Sequence, residues 1–101
     1  MVGLVDDLFH ALAAPARRAI LDELFDRDEQ TLFELVARLT MRQNLPLSRQ
    51  AVSHHLAVLE GVGLVRSRRE GKFKFHVIDP TPLRSIAERW PVPAAQEAPA
   101  P

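Results

Sequence analysis

Cysteine is absent from this 101-residue sequence. Its absence excludes a disulfide framework, a thiolate metal site and a thiol redox switch, and it leaves the compartment open. Long apolar runs are missing as well. No stretch approaches the roughly 20 residues that span a bilayer. The opening Met1-Val2-Gly3-Leu4-Val5-Asp6-Asp7 is acidic and lacks the basic start and apolar stretch of a secretory leader, so no membrane partner and a cytoplasmic location are expected. The sequence also has no glycine-rich phosphate loop, no serine in an elbow motif and no evident metal set. Ser53 and His54 are neighbours, but adjacent residues on a helix point about 100° apart, and no acidic orienter lies near them. His54 and His55 diverge in the same way and do not easily share one ion. No enzyme, cofactor or metal is expected.

Net charge is the next thing lacking: Lys and Arg total 13, Asp and Glu 13. The distribution is uneven. From Arg38 to His76, eight cations (Arg38, Arg42, Arg49, Arg66, Arg68, Arg69, Lys72 and Lys74) face only Glu60 and Glu70, a net +6 that leaves −6 for the rest. A basic segment inside a neutral chain is an electrostatic footprint for nucleic acid, although a solvated face would read alike. At 47% hydrophobic and 26% charged, the chain has the composition of an ordinary globular domain. A lone core this small is marginal, so an interface that buries more apolar surface is expected.

The apolar period places the elements. Leu4, Val5, Leu8, Phe9 and Leu12 recur at helical spacing, with Asp6 and Asp7 near the helix start. Pro15 ends that helix and suits the first turn of a second over 15–26, carried by Ile20, Leu21, Leu24 and Phe25. Thr31 and Glu34 have the spacing of a capping box before Leu32, Leu35, Val36 and Leu39. This third helix must stop before Pro46, with Asn44 as a candidate end. Ser48 then caps a fourth helix over 49–60 on Val52, Leu56 and Leu59, and Gly61 and Gly63 offer its C-cap. The period next falls to two. Residues 64–69 and 72–78 read as strands joined at Glu70-Gly71. Phe73, Phe75 and Val77 would form an apolar, core-facing side, with Lys72, Lys74 and His76 on a basic one and Arg66 and Arg68 opposite those cations. Asp79-Pro80-Thr81-Pro82 restarts a fifth helix with Leu83, Ile86, Ala87 and Trp90 on its apolar side. Residues 4–90 make one domain. The Pro/Ala-rich tail 91–101 is expected to be disordered.

The fold class is therefore mainly α with a small β-hairpin: four helices, a hairpin and a fifth helix. A helix pair followed at once by a basic two-stranded hairpin is the winged helix-turn-helix arrangement. Its fourth helix has the length to enter a major groove, and the third can brace it. With Val52, Leu56 and Leu59 turned inward, Arg49, Gln50, Ser53, His54 and Ala57 face outward. Glutamine can pair bidentately with adenine, arginine reads guanine, serine bonds either, and alanine permits close approach. Ser48 and the helix N-terminus suit a phosphate. Arg66, Arg68, Lys72 and Lys74 of the wing over 64–78 can reach the backbone or a neighbouring groove. His55 is expected to pack, His10 to lie on a surface or interface, and His76 to sit on the wing face within reach of a phosphate. Of Arg17 and Arg18, one lies near DNA or both are solvated. The function read from these residues is sequence-specific binding of double-stranded DNA by a transcriptional regulator, a repressor. A protein-interaction module that has lost DNA binding is the alternative, and the donor-rich outward face disfavours it.

Three stretches resemble the ArsR/SmtB family of winged-helix repressors. Leu8 to Leu21 is similar to that family's opening, Leu47 to Leu56 to its recognition helix, and Gly63 to Lys72 to its wing. The resemblance spans about residues 8–90. It implies a homodimer joined through the first and fifth helices, here Leu4, Leu8, Leu83, Ile86 and Trp90, on an imperfect palindrome near a promoter. It also implies that Gln50, Ser53 and His54 face DNA. The chain departs from the family in having no cysteine near the third helix and no histidine after His76, so neither familiar metal site maps onto it. The segment between Leu39 and Leu47 is longer than the family's tight turn. Ala14 stands where an acidic cap usually precedes the proline, a loss of about 1 kcal/mol if uncompensated. The operator, the regulated genes and the effector are not legible.

Overall fold

The computed structural model describes residues 4–93, Leu4 in its backbone only. The sequence expectation of a disordered tail therefore falls, from residue 94 on, outside the described residues. The elements run α1 (Leu4–Ala13), α2 (Pro15–Asp26), α3 (Leu32–Gln43), α4 (Arg49–Gly61), β1 (Val65–Glu70) and β2 (Phe73–Ile78). A short 3-10 turn (Thr81–Leu83) then leads into α5 (Arg84–Arg89). The fifth helix thus contributes six residues, with Trp90 as its C-cap rather than within it.

One core sits where α1 to α4 meet the start of β1. Leu8, Ala11, Ile20, Leu24, Leu35, Leu39, Val52, Leu56, Leu59, Leu64 and Val65 are all buried there. These are the positions of the helical period, because a helix buries the stripe that returns every three to four residues. The expected caps are in place. Thr31 Oγ1 accepts from Glu34 N–H, and Glu34 Oε1 accepts from Thr31 N–H at 2.9 Å. Ser48 Oγ accepts from Ala51 N–H at 3.0 Å. Asn44 ends α3 in the left-handed region, φ 51. The extra length after Leu39 is therefore one more helical turn, and Leu45 and Leu47 pack back onto the core.

Ala14 gives α2 no side-chain cap. Arg17 and Arg18 instead finish α1. Arg17 Nε donates to Ala11 O at 2.7 Å and Nη2 to His10 O at 3.2 Å. Arg18 Nη1 donates to Leu12 O at 2.6 Å and to Ala13 O at 3.1 Å. The four carbonyls that a helix C-terminus leaves open are thereby all met. Arg17 is buried by these contacts, whereas Arg18 remains exposed, the solvated position that the sequence allowed.

Candidate nucleic-acid interface

Helix α4 buries Val52, Leu56 and Leu59 and leaves Ser48, Arg49, Gln50, Ser53, His54 and Ala57 exposed. Among the described residues, Arg49, Gln50, Ser53 and His54 form no side-chain hydrogen bond, so their donors are available for base edges or phosphates. Two anchors hold α4 and α3 in place. Arg17 Nη1 approaches His55 Nδ1 at 3.2 Å. A guanidinium only donates, so Nδ1 must accept and the ring is neutral. Burial, then the charge of Arg17, pushes the His55 imidazole below its ordinary range. The second anchor is Glu23, 3% exposed, which accepts from Gln43 Nε2 at 2.6 Å, Arg38 Nε at 2.8 Å and Arg42 Nε at 3.0 Å. Burial alone would raise its carboxyl, but these hydrogen bonds and the two guanidinium charges hold it below the usual range. Asp26 takes a second contact from Arg38 and Arg42.

The hairpin differs from expectation in loop, register and facing. Its loop is Gly71-Lys72, with Gly71 at φ 60, rather than Glu70-Gly71. Arg66 lies opposite Val77 and Arg68 opposite Phe75, not opposite the lysines. A two-residue loop always pairs even-numbered with odd-numbered residues here, so the even arginines share the face of the odd Phe73, Phe75 and Val77. That face looks outward. Phe73 is 61% exposed and Phe75 half-buried, whereas His76 is 6% exposed. His76 turns inward because Gln30 forms an isolated bridge with it. Gln30 N–H donates to His76 O at 3.1 Å, and His76 N–H donates to Gln30 O at 2.7 Å. The expected wing-face histidine and core phenylalanines are thus reversed. Burial, then Lys74, lowers the His76 pKa.

The cations sort into paired and unpaired. Arg38 and Arg42 belong to the Glu23 cluster. Arg68 bonds Glu29 at 2.7 Å and Glu70 at 3.2 Å and lies 4.8 Å over the Phe75 ring. Arg66 is 3.6 Å from Asp79. Arg49, Arg69, Lys72 and Lys74 have no carboxylate within bridging distance among the described residues. A cleft of about 290 Å³ between α3, α4 and β2 brings Ser53 to Lys72 and Lys74. Arg69, which sequence reading did not single out, lies opposite Lys74. Its position beside the loop in an alternating strand could have revealed it.

At the other end, Leu8 is 2% exposed inside the core and so is not available to a partner chain, contrary to expectation. Its neighbour Phe9 is exposed and stacks on Trp90, ring centroids 6.1 Å apart. Trp90 is 58% exposed and Leu83 is exposed, while Ile86 is half-buried against the core. Leu4 lies outside the described side chains.

A helix-turn-helix domain family matches residues 12–68. The transcriptional regulator YuzN of Bacillus subtilis, itself uncharacterised, is 44% identical over 89% of this chain and 98% of its own length. The solved ArsR-like transcriptional regulator from Rhodococcus superposes with a TM-score of 0.71 at 32% identity, covering 85% of this chain and 74% of that one. This chain belongs to the ArsR/SmtB family of winged helix-turn-helix regulators. The transcriptional activator HlyU of Vibrio cholerae is also similar, 36% identical over 80% of this chain and 68% of its own length. Its solved structure superposes with a TM-score of 0.67. Within this ArsR/SmtB architecture, α3 and α4 are the helix-turn-helix pair and β1–β2 the wing. No three His, Asp or Glu side chains converge as a metal site among the described residues. No helix there is long and apolar enough to cross a membrane.

Proposed function

We propose that this DNA-binding transcriptional regulator acts as a homodimer on a palindromic operator and represses by occupying promoter DNA. Residues 4–90 are the DNA-binding and dimerisation unit, 91–101 a tail, and the place of action is the cytoplasm. Helix α4 enters the major groove. Gln50, Ser53 and His54 read bases, while Ser48 and Arg49 meet the backbone. Arg69, Lys72 and Lys74 of the wing supply salt-dependent affinity. Arg66 and Arg68 were expected beside them but are held by Asp79, Glu29 and Glu70, and act to stiffen the wing. The observation that carries this reading is the exposed, unbonded polar set of α4, one member of which, Ser53, lies across a cleft from the unpaired Lys72 and Lys74. Selection of random duplex DNA by the purified protein, with bound complexes sized, tests it. An enriched palindrome bound by two chains is expected. Salt-sensitive binding without sequence enrichment, or no binding, overturns it.

A further inference from the structure

Two exposed phenylalanines flank the DNA-reading cleft, and neither the core nor base recognition uses them. Phe33 at the start of α3 is 75% exposed and Phe73 of β2 61%. Together with Phe75 they line a second concavity of about 440 Å³. Its rings are preset: Phe73 and Phe75 lie 6.2 Å apart in a tilted pair. The second concavity and the cleft share Thr31, Phe33 and Phe73 as a common wall. Phe33 and Phe73 therefore reach into the cleft that also holds Lys72, Lys74 and Ser53, and give it an aromatic side and a polar side. Monomeric proteins seldom leave several large aromatics together in water without a use for them.

The polar side has a definite sign. Lys72 and Lys74 have no carboxylate partner among the described residues, and Ser53 of α4 offers them a free hydroxyl across the cleft. Two of the carboxylates nearby are occupied, while a third, Glu60, acts on His76 and forms no side-chain hydrogen bond or ion pair among the described residues. Glu34 is bound in its capping box and near Arg27, and Glu70 is bound to Arg68. His76 closes the floor, 6% exposed, with Nδ1 lacking any hydrogen-bond partner. Sites for small molecules combine largely apolar walls with a few converging polar groups in about 300–1,000 Å³, and this surface has both.

We propose that this cleft binds a small aromatic carboxylate, its ring against Phe33 and Phe73 and its carboxylate at Lys72, Lys74 and Ser53. Aromatic rings favour offset or edge-on partners, which the two phenyl groups of Phe33 and Phe73 supply. Two unpaired ammonium groups and a hydroxyl select an anion over its neutral analogue. Lys72, Lys74 and Ser53 are also the groups assigned to DNA, so ligand and operator compete for them. The competition rests on the DNA-binding reading; the site itself does not.

The test titrates the full-length ¹⁵N-labelled protein, without DNA, with phenylacetate, 3-phenylpropanoate and 4-phenylbutyrate. The matching alcohols and inorganic phosphate serve as controls. Saturable shifts at the amides of Phe33, Ser53, Phe73 and Lys74 are expected from at least one acid. Its alcohol should bind about tenfold more weakly, as should the exposed-site variants Phe73→Ala and Lys74→Gln. Absence of saturable shifts at those amides from all three acids overturns the site, as does equal binding of acid and alcohol. The binding acid should then weaken the complex with selected DNA in the wild type and not in Phe73→Ala. An unchanged DNA complex overturns the competition. Failure of the protein to select any DNA, with the amide shifts intact, overturns the DNA-binding reading and leaves the site standing.

Discussion

Gln50 and Lys74 are both exposed but should fail differently when removed. A bidentate base contact discriminates by about 1–3 kcal/mol, so Gln50→Ala should lose that much on the selected operator and little on random duplex, read by fluorescence anisotropy. Lys74→Gln should weaken both DNAs alike and lower the salt slope by about one, whereas Arg68→Gln should leave the slope nearly unchanged, because Glu29 and Glu70 already neutralise Arg68. The outward face of α4 was legible because the inward stripe of Val52, Leu56 and Leu59 fixes which residues point out. The wing cations were legible only in number. A net +6 counts neighbours along the chain, and the carboxylates that spend it (Glu23, Asp26, Glu29) lie outside the basic segment and reach it only by folding. His76 yields a pH prediction. Its folded pKa is lowered by burial and Lys74, with Glu60 opposing, so below about 6.5 the unfolded chain binds a proton that the folded chain refuses. The stability it contributes is present above that pH and is lost as pH falls toward the folded value. Urea midpoints from pH 8 to pH 5 should decline, and His76→Val should flatten the decline. An unchanged pH dependence in that variant would mean the histidine is not the source.

At the scale of elements, the helices were legible from their period and caps, and the hairpin from its alternation. Which face of the hairpin turned inward was not. Alternation defines two faces, and aromatic content suggested the wrong one, because the deciding partner is Gln30, far away in sequence and joined through backbone groups. The α1–α2 junction was legible only as a break at Pro15. Its energetics lie in Arg17, which closes two carbonyls of α1 and donates to His55 on α4. Removing it strands buried acceptors, which costs about 1–3 kcal/mol. Arg17→Ala should therefore lower the urea midpoint by that equivalent and also loosen the seat of α4. Hydrogen exchange should quicken in α4 as well as at the end of α1. Faster exchange at α1 alone would show that the His55 contact carries no coupling.

For the whole molecule, one exposed apolar surface joins the first helix to the last. Phe9 and Trp90 stack on each other with both rings exposed, Arg89 lies 4.7 Å over the indole, and Leu83 is open nearby in sequence. A six-residue α5 cannot make a large interface unaided, so in the proposed dimer the second copy is expected to rest on the Phe9–Trp90 pair formed jointly by α1 and α5. Phe9→Asp and Trp90→Glu should then yield folded monomers by sedimentation where the wild type sediments at twice the chain mass. Each monomer should keep its affinity for a half-site and lose roughly 10²–10⁴ on the palindrome, because a dimer brings its second α4 to DNA at high effective concentration. Leu8→Ala separates interface from core. Leu8 is buried within one chain, so its truncation should cost about 2–5 kcal/mol of stability with no change in oligomer size at a given folded concentration. If Trp90→Glu remains dimeric, the Phe9–Trp90 face is not the contact, and two copies must meet elsewhere to place α4 in successive major grooves.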